Sequence, residues 1–177
     1  MAGLRPAAVL APILVGRASP FGDEPSLLLT ERSSKLRNHA GQISFPGGKP
    51  EEGDDALVRT AIREAEEEVG LVGAHAQVLG RLAPVPTPSG YLIFPFVARI
   101  EAPWDPEIRS PGEVARILTP SLAELAHPET YINQGEREWK GRRYTMHAFD
   151  IADPPLWGAT ARMVYQLLTL MGAEPGA

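Results

Sequence analysis

Residues 47–71 read GGKPEEGDDALVRTAIREAEEEVGL. The spacing predicts a helix over 55–69, with Gly70 as its natural stop. At about 100° per residue, Leu57, Val58, Ala61, Ile62, Ala65 and Val69 make one apolar stripe. Glu64, Glu67 and Glu68 share an arc of about 100° beside that stripe, while Glu66 points away. Like charges at i,i+4, such as Glu64 and Glu68, destabilise an isolated helix by about 0.2–0.5 kcal/mol. A divalent cation removes the conflict, because hard oxygen ligands on one rigid element suit Mg²⁺ or Mn²⁺. The bland alternative is a solvated acidic face, with Arg63 offsetting Glu67 at i,i+4. Gly47 and Gly48 favour the first reading, since a glycine loop lets backbone N–H groups approach an anion.

Immediately upstream, residues 28–48 read LLTERSSKLRNHAGQISFPGG. This is a strand end, a loop carrying Arg32, Lys35 and Arg37, and a short strand that delivers the chain to Gly47-Gly48. A cationic loop beside an acidic metal site suits a substrate with several phosphates, which arginine grips bidentately. The alternative is that Arg32 and Arg37 pair with nearby acids and keep the loop soluble.

The 47–71 segment resembles the Nudix box, G-x5-E-x7-R-E-U-x-E-E-x-G-U with U aliphatic. Arg63 to Leu71 match its second half, with Ala65 as a small U residue. The first half departs: Asp54 stands where the pattern has Glu, and the stretch from Gly48 to Arg63 is one residue longer. Asp54 and Asp55 are both candidates for the first acidic role. The 28–48 segment is similar to a narrower signature, L-L-T-x-R-[SA]-x3-R-x3-G-x3-F-P-G-G. Leu28, Leu29, Thr30, Arg32, Ser33, Arg37, Gly41, Phe45, Pro46, Gly47 and Gly48 all fit it. That signature marks the coenzyme A pyrophosphatase branch of the Nudix hydrolase superfamily, and Leu156 to Ala161 also look like a segment of that branch.

The resemblance implies metal-dependent hydrolysis of the pyrophosphate of coenzyme A or its thioesters. The products would be 3′,5′-ADP and 4′-phosphopantetheine or its acyl form. It implies an α/β/α sandwich around a mixed sheet. It implies Glu64 and Glu68 as main ligands of Mg²⁺ or Mn²⁺, joined by Glu67, with Arg63 holding a glutamate in place. Gly47, Gly48, Arg32 and Arg37 are the expected substrate contacts. The water needs a base, for which Glu67 and, outside the box, Glu113 are candidates. His39 lies within the narrower motif, and Trp104, Tyr91 and Phe94 are candidate adenine platforms, although aromatic residues near strands more often join the core. One rival is a Nudix pyrophosphatase for another nucleoside diphosphate derivative, such as ADP-ribose or NADH. The other is a Nudix-fold ligand-binding module without activity.

The whole chain agrees with these expectations. Its 177 residues suit one domain, taken as 1–177. The net charge of −5 argues against nucleic acid as a partner, so a small nucleotide, coenzyme A-like, is expected. The absence of cysteine excludes disulfides, thiolate nucleophiles and cysteine-based zinc sites. The apolar run Ala7–Val15 is short, interrupted by Pro12 and preceded only by Arg5, so it reads as a strand rather than a leader or membrane span. A cytoplasmic protein without membrane contact is the default, with a homo-oligomer left open. Strands are expected at 8–15, 26–30, 43–45, 76–82, 91–100, 114–118, 130–133 and 143–149, the last two around a turn at Gln134-Gly135. Short and long helices are expected at 121–126 and 156–171. The class is α+β, with helices packed on a mixed sheet.

Overall fold

A computed structural model describes residues 3–36 and 39–176. The chain runs β1 (Arg5–Leu14), β2 (Ser26–Leu27), β3 (Leu29–Arg32), β4 (Ile43–Ser44), β5 (Gly47–Gly48), α1 (Leu57–Val69), β6 (Ala76–Arg81) and β7 (Val85–Pro86). It continues with β8 (Tyr91–Ile100), β9 (Val114–Leu118), α2 (Leu122–Ala126), β10 (Tyr131–Trp139), β11 (Arg142–Phe149), β12 (Leu156–Trp157) and α3 (Gly158–Leu170).

The centre is β1, which pairs in parallel with β8 along its whole length and antiparallel with β2 and β5 on its other edge. The sheet order β2-β1-β8-β6 is therefore mixed. Both faces of β1 are covered, which explains why it reads as a continuous apolar run rather than an alternation. Ala8, Leu10 and Leu14 pack with Ala61, Ala65 and Val69 of α1. Val9, Ala11 and Ile13 face the other way, into the cluster that holds Met163, Val164, Leu167 and Leu168 of α3. Two helices thus sandwich the sheet, as expected for the α+β class.

Pro12 sits inside this central strand without cost. Leu10 donates its N–H to Pro46, and the Pro12 carbonyl accepts from Leu28, so both residues face the β5/β2 edge. There Pro12 falls between the register of β5, at Ala8 and Val9, and that of β2, at Ile13 and Leu14. Its missing donor faces a break in the ladder.

Several boundaries differ from the sequence reading. The 26–30 strand divides into β2 and β3, because β2 pairs with β1 while β3 crosses to β4 and β9. Glu31 and Arg32, expected in a loop, belong to β3. The turn joining β10 and β11 is Lys140-Gly141, not Gln134-Gly135. Both turn residues have positive φ (51° and 72°), as a two-residue hairpin turn requires. Gln134 and Gly135 lie where the register slips between Asn133 and Glu136. Leu156 and Trp157 do not open the last helix but pair with β11, and α3 begins at Gly158. No helix among the described residues is long and apolar enough to cross a membrane.

Candidate functional site

Helix α1 has no side-chain cap at Ala56. The loop before it is closed instead by Asp54, whose carboxylate accepts from the backbone N–H of Glu51 at 3.0 Å, the Thr60 hydroxyl at 2.9 Å and the Arg63 guanidinium at 3.0 Å. Arg63 also donates to the Lys49 carbonyl at 3.0 Å, Glu64 at 3.3 Å and Glu67 at 3.2 Å. The Arg63 hydrogen bond holds the Asp54 carboxyl down at about 2, and the same bond raises Arg63 above the usual guanidinium range. Asp54 is therefore the loop's internal anchor. Nothing in the sequence separated it from Asp55. The buried Thr60, which completes the anchor, carries no sequence signal of that role.

Glu64 and Glu68 lie against the Gly47-Gly48 strand. Glu68 is 5% exposed and accepts the Gly47 N–H at 3.4 Å. A Cβ on Gly48 would fall on the Glu64 carboxylate, so a larger residue here would displace that side chain. Burial pushes the Glu68 carboxyl up to about 8, against the Gly47 N–H and the Arg32 charge and helped by Glu64 and Glu113. Burial also raises Glu64, with Glu67 and Glu113 adding to it and Arg63 opposing it. Glu67 stands apart, exposed and paired with Arg63.

Arg32 of β3 is paired with Val114 of β9, and the Ser33 N–H donates to the backbone carbonyl of Glu113, just ahead of β9, at 2.7 Å; the Arg32 charge acts on Glu68 and that of Glu113 on both Glu64 and Glu68. The Arg32 Nε is buried and, among the described residues, has no hydrogen-bond partner. Arg37 lies outside the described residues. His39 is exposed and bonded to Gln42 at 2.8 Å. The candidate platforms are engaged elsewhere: Trp104 donates to the Gly70 carbonyl at 3.1 Å, Arg5 covers Tyr91 at 4.4 Å and Arg81 covers Phe94 at 5.3 Å.

Among the described residues no three His, Cys, Asp or Glu side chains stand close enough to hold a metal ion by themselves. Two raised, half-desolvated carboxylates nevertheless suit a hard divalent cation. Mg²⁺ is commonly held by one or two carboxylates, with water and substrate phosphates completing its shell.

Residues 4–141 match the NUDIX domain. The uncharacterized Nudix hydrolase NudL of Photorhabdus laumondii is 39% identical over 163 residues, covering 92% of this chain and 83% of its own. The protein of the same name from Yersinia pestis is 38% identical over 164 residues, covering 92% and 78%. Among solved structures, the Nudix hydrolase RenU of M. smegmatis superposes with a TM-score of 0.55 at 21% identity, over 72% of this chain and 80% of its own. A MutT/nudix family protein of Enterococcus faecalis gives 0.58 at 14% identity, over 97% and 66%. These structures share the fold. Hydrolases of this family act on small nucleotide derivatives with the help of divalent metal ions. The chain belongs to the Nudix family and is a Nudix hydrolase, an enzyme of the pyrophosphatase class.

Proposed function

We propose that the chain hydrolyses the pyrophosphate bond of coenzyme A or its derivatives, releasing 3′,5′-ADP and 4′-phosphopantetheine or its acyl form. The observation that carries this reading is the placement of Arg32. The segment that resembles the coenzyme A branch packs against the Glu64/Glu68 pair through Gly47 and Gly48, and it brings an arginine whose buried Nε has no hydrogen-bond partner among the described residues. A desolvated donor of this kind gains most from a phosphate oxygen.

In this reading Glu64 and Glu68 would hold Mg²⁺ or Mn²⁺, with Glu67 joining them directly or through water. The bound ion would withdraw negative charge from the pyrophosphate oxygens. Arg32 and Arg37 grip phosphates. Gly47 and Gly48 leave room for the carboxylates, and the Gly47 N–H steadies Glu68. Arg63 orients Glu64 and Glu67 while Asp54 fixes Arg63. Glu113 takes the proton of the attacking water as its oxygen bonds to phosphorus; the bridging P–O bond breaks and the second phosphate leaves. Glu67 is the alternative base. The reading treats 1–177 as one cytoplasmic Nudix domain, since α3, beyond the 4–141 match, shares a core cluster with β1.

The test is product identification by mass spectrometry after incubation with coenzyme A and Mg²⁺ or Mn²⁺, in ¹⁸O-water, beside ADP-ribose and NADH. Formation of 3′,5′-ADP carries the proposal. Turnover of ADP-ribose or NADH with coenzyme A untouched replaces it with the broader reading.

A further inference from the structure

We propose that Ser110 is a positioning residue that sets Glu113 over the Glu64/Glu68 pair. The proposal rests on the reading of Glu113 as the acceptor of the water proton. The last carbonyls of a helix lack partners within it. In α1 they are taken by the loop that leads to Glu113. The Glu107 N–H donates to the Val69 carbonyl at 3.2 Å and the Arg109 N–H to Glu68 at 3.0 Å. The Trp104 indole N–H donates to Gly70 at 3.1 Å, and the Ser110 hydroxyl donates to Glu67 at 2.9 Å. The loop thus reads the end of the very helix that carries the carboxylates.

Ser110 is the last of these anchors before Glu113, and it holds both parts at once. Its hydroxyl grips the helix, while its carbonyl accepts the N–H groups of Glu113 and Val114, each at 2.9 Å. Only Pro111 and Gly112 intervene, so the link from helix to glutamate is one tight turn. Glu113 is exposed and sits one tight turn beyond the Ser110 anchor on the carboxylate helix, and its charge adds to the upward push on half-buried Glu64 and buried Glu68. Without the Ser110 hydroxyl the turn is tied on the far side, where Ser33 donates to the Glu113 carbonyl, and on the near side only by more distant anchors.

The test is a double-mutant cycle of Ser110→Ala and Glu113→Gln, with Ser110→Thr as the conservative variant. Turnover is measured on coenzyme A, or on ADP-ribose if coenzyme A is not hydrolysed. Losing one such hydrogen bond should lower kcat by about three- to tenfold in Ser110→Ala, with KM within about twofold. Ser110→Thr should stay within about twofold of the parent in kcat. In the Glu113→Gln background Ser110→Ala should cost nothing further. Amide hydrogen exchange at Glu113 should quicken in Ser110→Ala and not in Ser110→Thr. Parental kcat in Ser110→Ala, an equal loss in both backgrounds, or unchanged exchange overturns the proposal alone. Full kcat in Glu113→Gln removes the base assignment and this proposal with it.

Discussion

At Glu68 the protein keeps a carboxyl that ionises only at a cost. Folded and metal-free, it titrates at about 8 rather than at its ordinary 4.5. Between these values the folded state holds a proton that the unfolded chain has released. The stability of the metal-free protein should therefore fall as pH rises from about 4.5 to about 8. Melting curves in a chelator should show this slope, Glu68→Gln should flatten it, and Mg²⁺ or Mn²⁺ at pH 8 should restore what was lost. Asp54 runs the other way, being held at about 2 against an ordinary 3.8. Its contribution is present above about pH 4 and fades as pH falls towards 2, so Asp54→Asn should lower Tm at pH 7 and meet the parent near pH 2. In turnover assays Glu64→Gln and Glu68→Gln should each lose about 10²-fold or more in kcat, since a metal ligand is removed from each. Near-parental kcat in both at saturating Mg²⁺ would sink the assignment.

At the scale of the element, the decisive piece is α1, with Gly48 of β5 against its Glu64 and Gly70 at its C-terminal end. Gly48→Ala should put a methyl group onto the Glu64 carboxylate, weakening Mn²⁺ binding measured by calorimetry while leaving Tm within a few degrees. Gly70 has a φ of 71° and closes the helix, so Gly70→Ala should cost about 1 kcal/mol and quicken exchange in the last turn of α1. The helix was legible because its apolar stripe and its carboxylates recur at a helical period within one segment. Lys140-Gly141 was not, because lysine seldom adopts positive φ and Gln134-Gly135 offers a glycine turn of its own. Leu156 and Trp157 read as part of α3 because their apolar character continues its pattern, and only their pairing with β11 separates them. The grip of Trp104 and Ser110 on α1 was out of reach, since both bond to backbone carbonyls far off in the chain, a contact that leaves no motif.

For the molecule as a whole, the two faces of β1 divide the labour. One supports α1 and its carboxylates, the other α3. Leu168→Ala, in the α3 layer, should therefore cost about 2–5 kcal/mol of stability by equilibrium denaturation while kcat/KM at 25 °C stays within about twofold. The parallel register of residues 5–14 with residues 91–100 also governs when this architecture can arise. A ribosome making the chain delivers β1, the glycine strand and α1 well before β8 exists. Until β8 emerges, the central strand has one edge bare, and its second apolar face waits longer still, for α3. Pairings between segments so distant are slow to find, roughly milliseconds to seconds. During that interval the nascent chain exposes an apolar strand edge, and the carboxylate pair stands on an unfinished floor.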